Sequence, residues 1–243
     1  MVPRILAAGD TALVVEFGET IDRDLSRRVA ALDRLLLKSA IPGVLETVPT
    51  FRSLMVHYNP DQLDFEVLVR RVNHLVSGLV ADQQVGRTWV LPVCYDDTMA
   101  PDIAMVAEAA RLSRAQLIEC HSATTYYIYM IGFLPGMAYM GDNPEELRLP
   151  RRETPRLKVP MGSLAIAMGM TSVFPQETPS GWHIIGRCPV PMWEQGRLGE
   201  PLLRACDEVR FKPVSVPDYG RIRAVLSDPD VELTPETIDR ACR

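Results

Sequence analysis

Residues 126–187 read YYIYMIGFLPGMAYMGDNPEELRLPRRETPRLKVPMGSLAIAMGMTSVFPQETPSGWHIIGR. Aromatic and β-branched runs alternate here with turns built on proline, which fixes φ, and glycine, which permits φ > 0. Residues 125–131, 164–168, 171–174 and 183–187 read as strands, and residues 209–214 further on add another. Many short strands between Gly/Pro turns predict a closed or rolled antiparallel sheet. Four arginines, Arg151, Arg152, Arg156 and Arg187, sit among those turns. A segment sculpted in this way presents a surface to a ligand or a partner.

Upstream of this stretch the pattern differs. ALVVEF at 12–17 is a strand candidate, and residues 21–38 switch to a helical period with Leu25, Val29, Leu32 and Leu36 on one face and Asp22 near the start. Strands follow at 44–48 and 53–58. A second amphipathic helix at 64–79 carries Phe65, Leu68, Val72, Leu75 and Leu79 on one face. This makes a compact α+β layer, with the short polar run at 81–84 as its boundary. Beyond it, 88–95 is a strand whose Pro92 places it near a sheet edge. Residues 102–112 are helical, and Ser113 with Gln116 forms a capping box that opens a short helix carrying Cys120 and His121. Thr234-Pro235 is an N-cap and N1 pair for a helix in the tail. The expected fold class is therefore α+β, with an N-terminal domain at 1–84 and a β-barrel domain at 85–243.

The 243 residues are 47% hydrophobic, enough for a real core, and the net charge of −5 disfavours a nucleic-acid binder. Five scattered cysteines lack zinc-ligand spacing and read as reduced thiols. No signal peptide and no run long enough to span a bilayer is visible, so a cytoplasmic location without membrane contact is expected. Sequences for a P-loop, a dinucleotide fold or a metal site are not seen.

Each candidate site residue has two readings. His121 is either an acid/base group or a core histidine whose ring nitrogens meet backbone groups. Arg151, Arg156 and Arg187 either clamp an anion or pair with acids such as Glu145, Glu146 and Glu153, and for Arg152 pairing leads. Ser163 is a turn serine rather than a nucleophile, because G-x-S-x-G is not in register. Trp182 and Tyr139 either line a pocket or fill the core.

Taken together, His121, Gly132-Phe133-Leu134-Pro135-Gly136 with Tyr139, Pro150-Arg151, Pro155-Arg156, Val159-Pro160, Gly162-Ser163, Pro175, Gly181-Trp182 and Ile185-Gly186-Arg187 resemble a known family. It is the family of the 5-oxoprolinase B-type proteins, the KipI-type sensor-kinase inhibitors and allophanate hydrolase subunit 1. The resemblance implies a small α/β domain followed by a cyclophilin-like barrel. It implies one component of a hydrolase, inactive alone, that helps open 5-oxoproline to glutamate with ATP. Its implied partners are a C-type protein, itself a second barrel, and a separate A-type protein. The related branches imply inhibition of a histidine kinase, or carboxyl transfer from biotin in a urea carboxylase. As sites it implies His121 for proton transfer, and Arg151, Arg156, Arg187, Ser163, Tyr139 and Trp182 around a small acidic substrate. Several positions depart from the family pattern. Residues 170–175 read Met-Thr-Ser-Val-Phe-Pro where relatives have Gln-Thr-Gly-Ile-Tyr-Pro, and Cys206 stands where a glycine is usual.

Overall fold

The computed structural model describes residues 3–79, 86–194 and 199–243. The boundary run at 81–84 lies outside these residues. The chain divides into two compact units, Met1–Val85 and Gly86–Arg243.

The first unit holds β1 (Arg4–Ala7), β2 (Ala12–Glu16), α1 (Arg23–Ser39), β3 (Val44–Pro49), β4 (Ser53–Tyr58) and α2 (Phe65–Ser77). The strands form one antiparallel sheet in the order β1-β2-β4-β3. Directly opposed residues share a face, so the pairs Leu13–Val56 and Val15–Leu54 form one apolar layer. Val29, Leu32 and Leu36 of α1 and Leu68 and Val72 of α2 belong to the same core. Both helices start where the sequence places them. The Asp22 carboxylate accepts from the Asp24 and Leu25 amides, and Asp64 does the same for Glu66 and Val67.

The second unit contains β5 (Thr88–Val93), α3 (Ile103–Ala109), α4 (Arg114–Ala123), β6 (Tyr126–Ile131), β7 (Ala138–Gly141), β8 (Arg156–Val159), β9 (Ser163–Ala167), β10 (Met170–Val173), β11 (Thr178–Ser180), β12 (His183–Arg187), β13 (Glu208–Pro213), α5 (Val216–Leu226) and α6 (Pro235–Ala241). Seven strands form a sheet in the order β12-β9-β10-β7-β6-β13-β5, and β8 pairs with β11 in a separate ribbon. The sheet curls until its two edges meet, where Cys94 and Arg187 exchange a pair of backbone hydrogen bonds at 2.9 Å each. All its neighbouring strands are antiparallel except β13 and β5, which run parallel. Pro92 sits on β5, at the end of the strand order, as its missing amide requires.

The barrel interior is built by alternation. Leu164, Ile166, Val173, Ile185, Met140, Ile128, Val209, Phe211, Trp89, Leu91 and Val93 form one core with Ile103, Val106 and Leu117 of α3 and α4 and Ile222 and Ile238 of α5 and α6. The Ser113–Gln116 capping box is present, and Thr234 caps α6. A buried Asp207 ties the start of β13 to that of β5. Its carboxylate accepts from the amides of Arg87 and Arg204, from the Arg87 guanidinium and from the Trp89 indole. Cys206 beside it takes a left-handed φ of 73°, the conformation for which glycine is the usual residue.

Candidate functional site

The register across four strands defines a second, outward face of the barrel wall. Arg187 of β12 lies opposite Ser163 of β9, and Ile184 lies opposite Ala165. Ala165 in turn lies opposite Ser172 of β10. Because Thr171 pairs with Met140, the next step sets Ser172 beside Tyr139 of β7. The floor of this face is thus made of small side chains, Ser163, Ala165 and Ser172, which leave room above them. Near this face the Trp182 ring meets Tyr139 edge-on at 6.0 Å between centroids and Phe174 at 6.5 Å.

Three polar atoms on this face are buried and have no hydrogen-bond partner: Ser163 Oγ, Ser172 Oγ and Arg187 Nε. Orphaned buried donors are uncommon in native proteins and each calls for a partner. Tyr139 lies half-buried at the edge. Burial raises its phenol above the usual range, and the positive charge of Arg151 draws it partly back, so Arg151 and Tyr139 are neighbours.

The loop that carries Arg151 is fastened from several sides. The His183 Nε2 donates to the Pro150 carbonyl at 2.8 Å, and the Arg152 amide donates to the Gly181 carbonyl at 2.8 Å. The main clamp is Asp102, nearly fully buried at the start of α3. Its carboxylate accepts from Arg156 Nη1 at 2.7 Å and Nη2 at 2.6 Å, from Arg152 Nη1 at 2.9 Å and from the Ile184 amide at 2.7 Å. Arg152 and Arg156 are therefore spent on one internal carboxylate. Arg151, next to Arg152 in the loop, is exposed and without an ion pair among the described residues. The acid that holds the loop is Asp102 rather than Glu145, Glu146 or Glu153, while Glu145 pairs with Arg148.

His121 lies elsewhere. It is fully buried on the core side of the sheet, stacked on Phe211 at 4.9 Å and tilted against Tyr126 at 5.1 Å. Its Nδ1 is 2.8 Å from the Tyr95 hydroxyl, and its Nε2 has no partner. Burial drives its pKa down to about 3, so the ring is neutral. Of the residues singled out from sequence, the fold gathers Tyr139, Ser163, Trp182, Arg151 and Arg187 around one face. It commits Arg156 to Asp102 and sets His121 behind the wall. Sequence reading missed Asp102 and Ser172. Asp102 looked like an ordinary helix start, and only the density of arginines at 151–156 hinted that a buried acid must answer them.

Among the described residues the first unit has concavities of about 460 Å³ beside Val67, Arg70, Arg71 and His74, about 620 Å³ beside Arg4, Glu16 and Phe17, and about 400 Å³ beside Leu36, Ile41 and Thr47. Among the described residues no group of three His, Cys, Asp or Glu side chains converges as a metal site would require. No helix among them is long and apolar enough to cross a membrane.

Comparison with known proteins identifies the family of the chain. Residues 3–203 match the family described as "Carboxyltransferase domain, subdomain C and D". The B subunit of 5-oxoprolinase from Bacillus subtilis (strain 168) is 34% identical over 222 residues, covering 87% of this chain and 92% of that one. Among solved structures, TTHA0988 superposes with a TM-score of 0.76 at 32% identity over 85% of this chain, which spans 40% of that longer one. The urea amidolyase of K. lactis shares the fold, with a TM-score of 0.75 at 18% identity over 94% of this chain and 16% of its own. The chain belongs to the carboxyltransferase-domain family, subdomain C and D, in which the 5-oxoprolinase B subunits are also found.

Proposed function

We propose that this chain is the B subunit of an ATP-dependent 5-oxoprolinase, a hydrolase that opens 5-oxoproline to glutamate together with an A-type and a C-type protein. The observation that carries this reading is the end-to-end match to a relative bearing that name, which covers 92% of the relative. The outward face of the barrel supports it. A small anionic ring compound needs a cation for its carboxylate, flat apolar contacts for its ring and hydrogen-bond donors for its amide. Arg151 supplies the cation, Tyr139 and Trp182 the apolar edge, and Ser163 with Arg187 the donors. Arg156 serves the same site indirectly, by holding the loop that carries Arg151. His121, neutral and behind the sheet, serves as a core hydrogen-bonding group, since a proton from it would have to cross the barrel wall.

ATP belongs to the complex. This chain has no P-loop sequence to cradle a triphosphate, so we assign the nucleotide chiefly to the partner proteins. The test is co-expression with the two partners and measurement of glutamate released from 5-oxoproline with ATP. A well-formed complex without that activity removes the reading. The family description supports a second reading, carboxyl transfer from carboxybiotin. Carboxylation of a urea-type acceptor by the same complex would select it.

A further inference from the structure

Between Arg187 and Tyr139 the barrel wall carries a hydroxyl to which the contacts above give no role. Ser172 of β10 is fully buried, yet its Oγ has no hydrogen-bond partner among the described residues. Its chain neighbours are accounted for. Thr171 lies opposite Ile166, on the core side, where its hydroxyl donates to Asn143 Oδ1 at 3.0 Å, and Val173 belongs to the core. Strand alternation turns Ser172 to the other face, opposite Ala165, whose methyl group cannot hydrogen-bond. A hydroxyl shielded from water and left unpaired is costly, and each one in a native fold calls for an explanation.

The register places this hydroxyl in a series of groups. Arg187 lies opposite Ser163, and Ser172 is diagonal to Ser163 across β9 and β10, a relation that sets Cβ atoms roughly 7 Å apart. Tyr139 follows on β7, and Arg151 is the neighbour of Tyr139. The order across the wall is therefore Arg187 with Ser163, then Ser172, then Arg151. A small cyclic amide with a carboxylate beside its nitrogen presents carbonyl, N–H and carboxylate in that same order, because ring closure holds the amide cis. The chemistry of the unpaired atoms fits as well. The Arg187 Nε can only donate, so it suits the carbonyl oxygen, whereas a hydroxyl also accepts and can receive the N–H. Of the two hydroxyls, Ser163 stands against Arg187 and shares its acceptor. Ser172 is left for the N–H.

We propose that Ser172 is a specificity-determining residue of this site, its Oγ accepting from the ring N–H of the substrate and so selecting secondary cyclic amides over the corresponding lactones. The inference rests on the function proposed above and deepens it, because it assigns the class of ring that the face admits. A lactone of the same shape offers Ser172 a weak acceptor where the amide offers a donor. A site built to pair a substrate N–H rejects an analogue that lacks it, since its own buried group is then left unpaired.

The test is calorimetric titration of the chain assembled with its two partner proteins, wild type and Ser172→Ala, using 5-oxoproline and the lactone analogue in which oxygen replaces the ring N–H. Thermal unfolding of the lone chain accompanies it. Wild type should bind the lactam about tenfold more tightly than the lactone, and Ser172→Ala should reduce that ratio about fivefold by weakening the lactam. The lone variant should unfold at an equal or higher temperature, because it loses a hydroxyl that has no partner in the fold. A ratio unchanged in Ser172→Ala overturns the inference, as does a wild type that binds neither ring or prefers neither. A lower unfolding temperature in the variant overturns it too, by showing the hydroxyl already paired within the fold. Glutamate release separates the two readings. A complex whose preference depends on Ser172 but which releases no glutamate leaves the inference standing and removes the function. An active complex whose preference is indifferent to Ser172→Ala does the reverse.

Discussion

Arg156 grips Asp102 through two parallel hydrogen bonds, Nη1 to Oδ2 at 2.7 Å and Nη2 to Oδ1 at 2.6 Å. This fork joins the start of α3 to the loop at residues 150–156, and Arg152 and the Ile184 amide complete it. A carboxylate shielded from water with four donors around it is a fixed point. Asp102→Ala leaves two arginines and an amide without their acceptor. We expect a loss of about 3 kcal/mol, toward the lower end for broken buried pairs because both arginines retain some solvent. Urea denaturation measures it. Arg156→Lys, which cannot reproduce the fork, should lose a substantial part of the same stability.

Arg151 should behave in the opposite way. It is exposed and unpaired among the described residues, so Arg151→Gln should change stability by no more than about 0.5 kcal/mol. If Arg151 meets the substrate carboxylate, the same change weakens substrate binding by about 1.5–3 kcal/mol, the worth of a hydrogen bond to a charged group. The expected signature is a KM raised about tenfold or more in the assembled complex, with thermal unfolding unmoved.

His121 makes stability depend on pH. Its folded pKa is near 3 because burial disfavours the charged ring, against 6.5 when exposed. The unfolded chain therefore binds a proton that the folded chain refuses between those values. The contribution is fully present above pH 6.5 and is lost as pH falls toward 3, at about 1.4 kcal/mol per pH unit in the steep range. The difference in unfolding free energy between wild type and His121→Gln, followed from pH 7.5 to 4.5, should shift in favour of the variant as pH falls. A difference that stays constant would mean that the folded ring takes up its proton over the same pH range as the unfolded one.

Cys206 offers a stabilising change. At φ 73° its side chain is strained, and Cys206→Gly should raise stability by about 1 kcal/mol, read as a higher denaturation midpoint.

How far the fold was legible follows from local chemistry. Caps at Asp22, Asp64, Ser113 and Thr234 are short-range signals, and all four helices start within a residue of where those signals put them. The strands that were missed lack such signals. β7 is four residues ending in Gly141, β11 is three with Pro179 inside, and β8 follows Pro155 and carries Leu157 outward at 85% exposure, so neither composition nor alternation marks them. α5 contains Pro217 and Gly220, which hide a helix held by the tertiary packing of Ile222 and Leu226. The expected helix at 102–112 stops early because Arg111 turns left-handed at φ 57°. In the site, residue types pointed to the arginine loop. Only three-dimensional pairing could say which arginine is spent, because Asp102 lies some fifty residues from its partners in sequence.

The most direct measurement is ATP-dependent glutamate release from 5-oxoproline by the chain assembled with its two partner proteins, wild type beside Arg151→Gln. The account predicts an active wild-type complex and a variant that assembles equally well but needs at least tenfold more substrate. A stable complex that releases no glutamate, or a variant with unchanged KM, would contradict it.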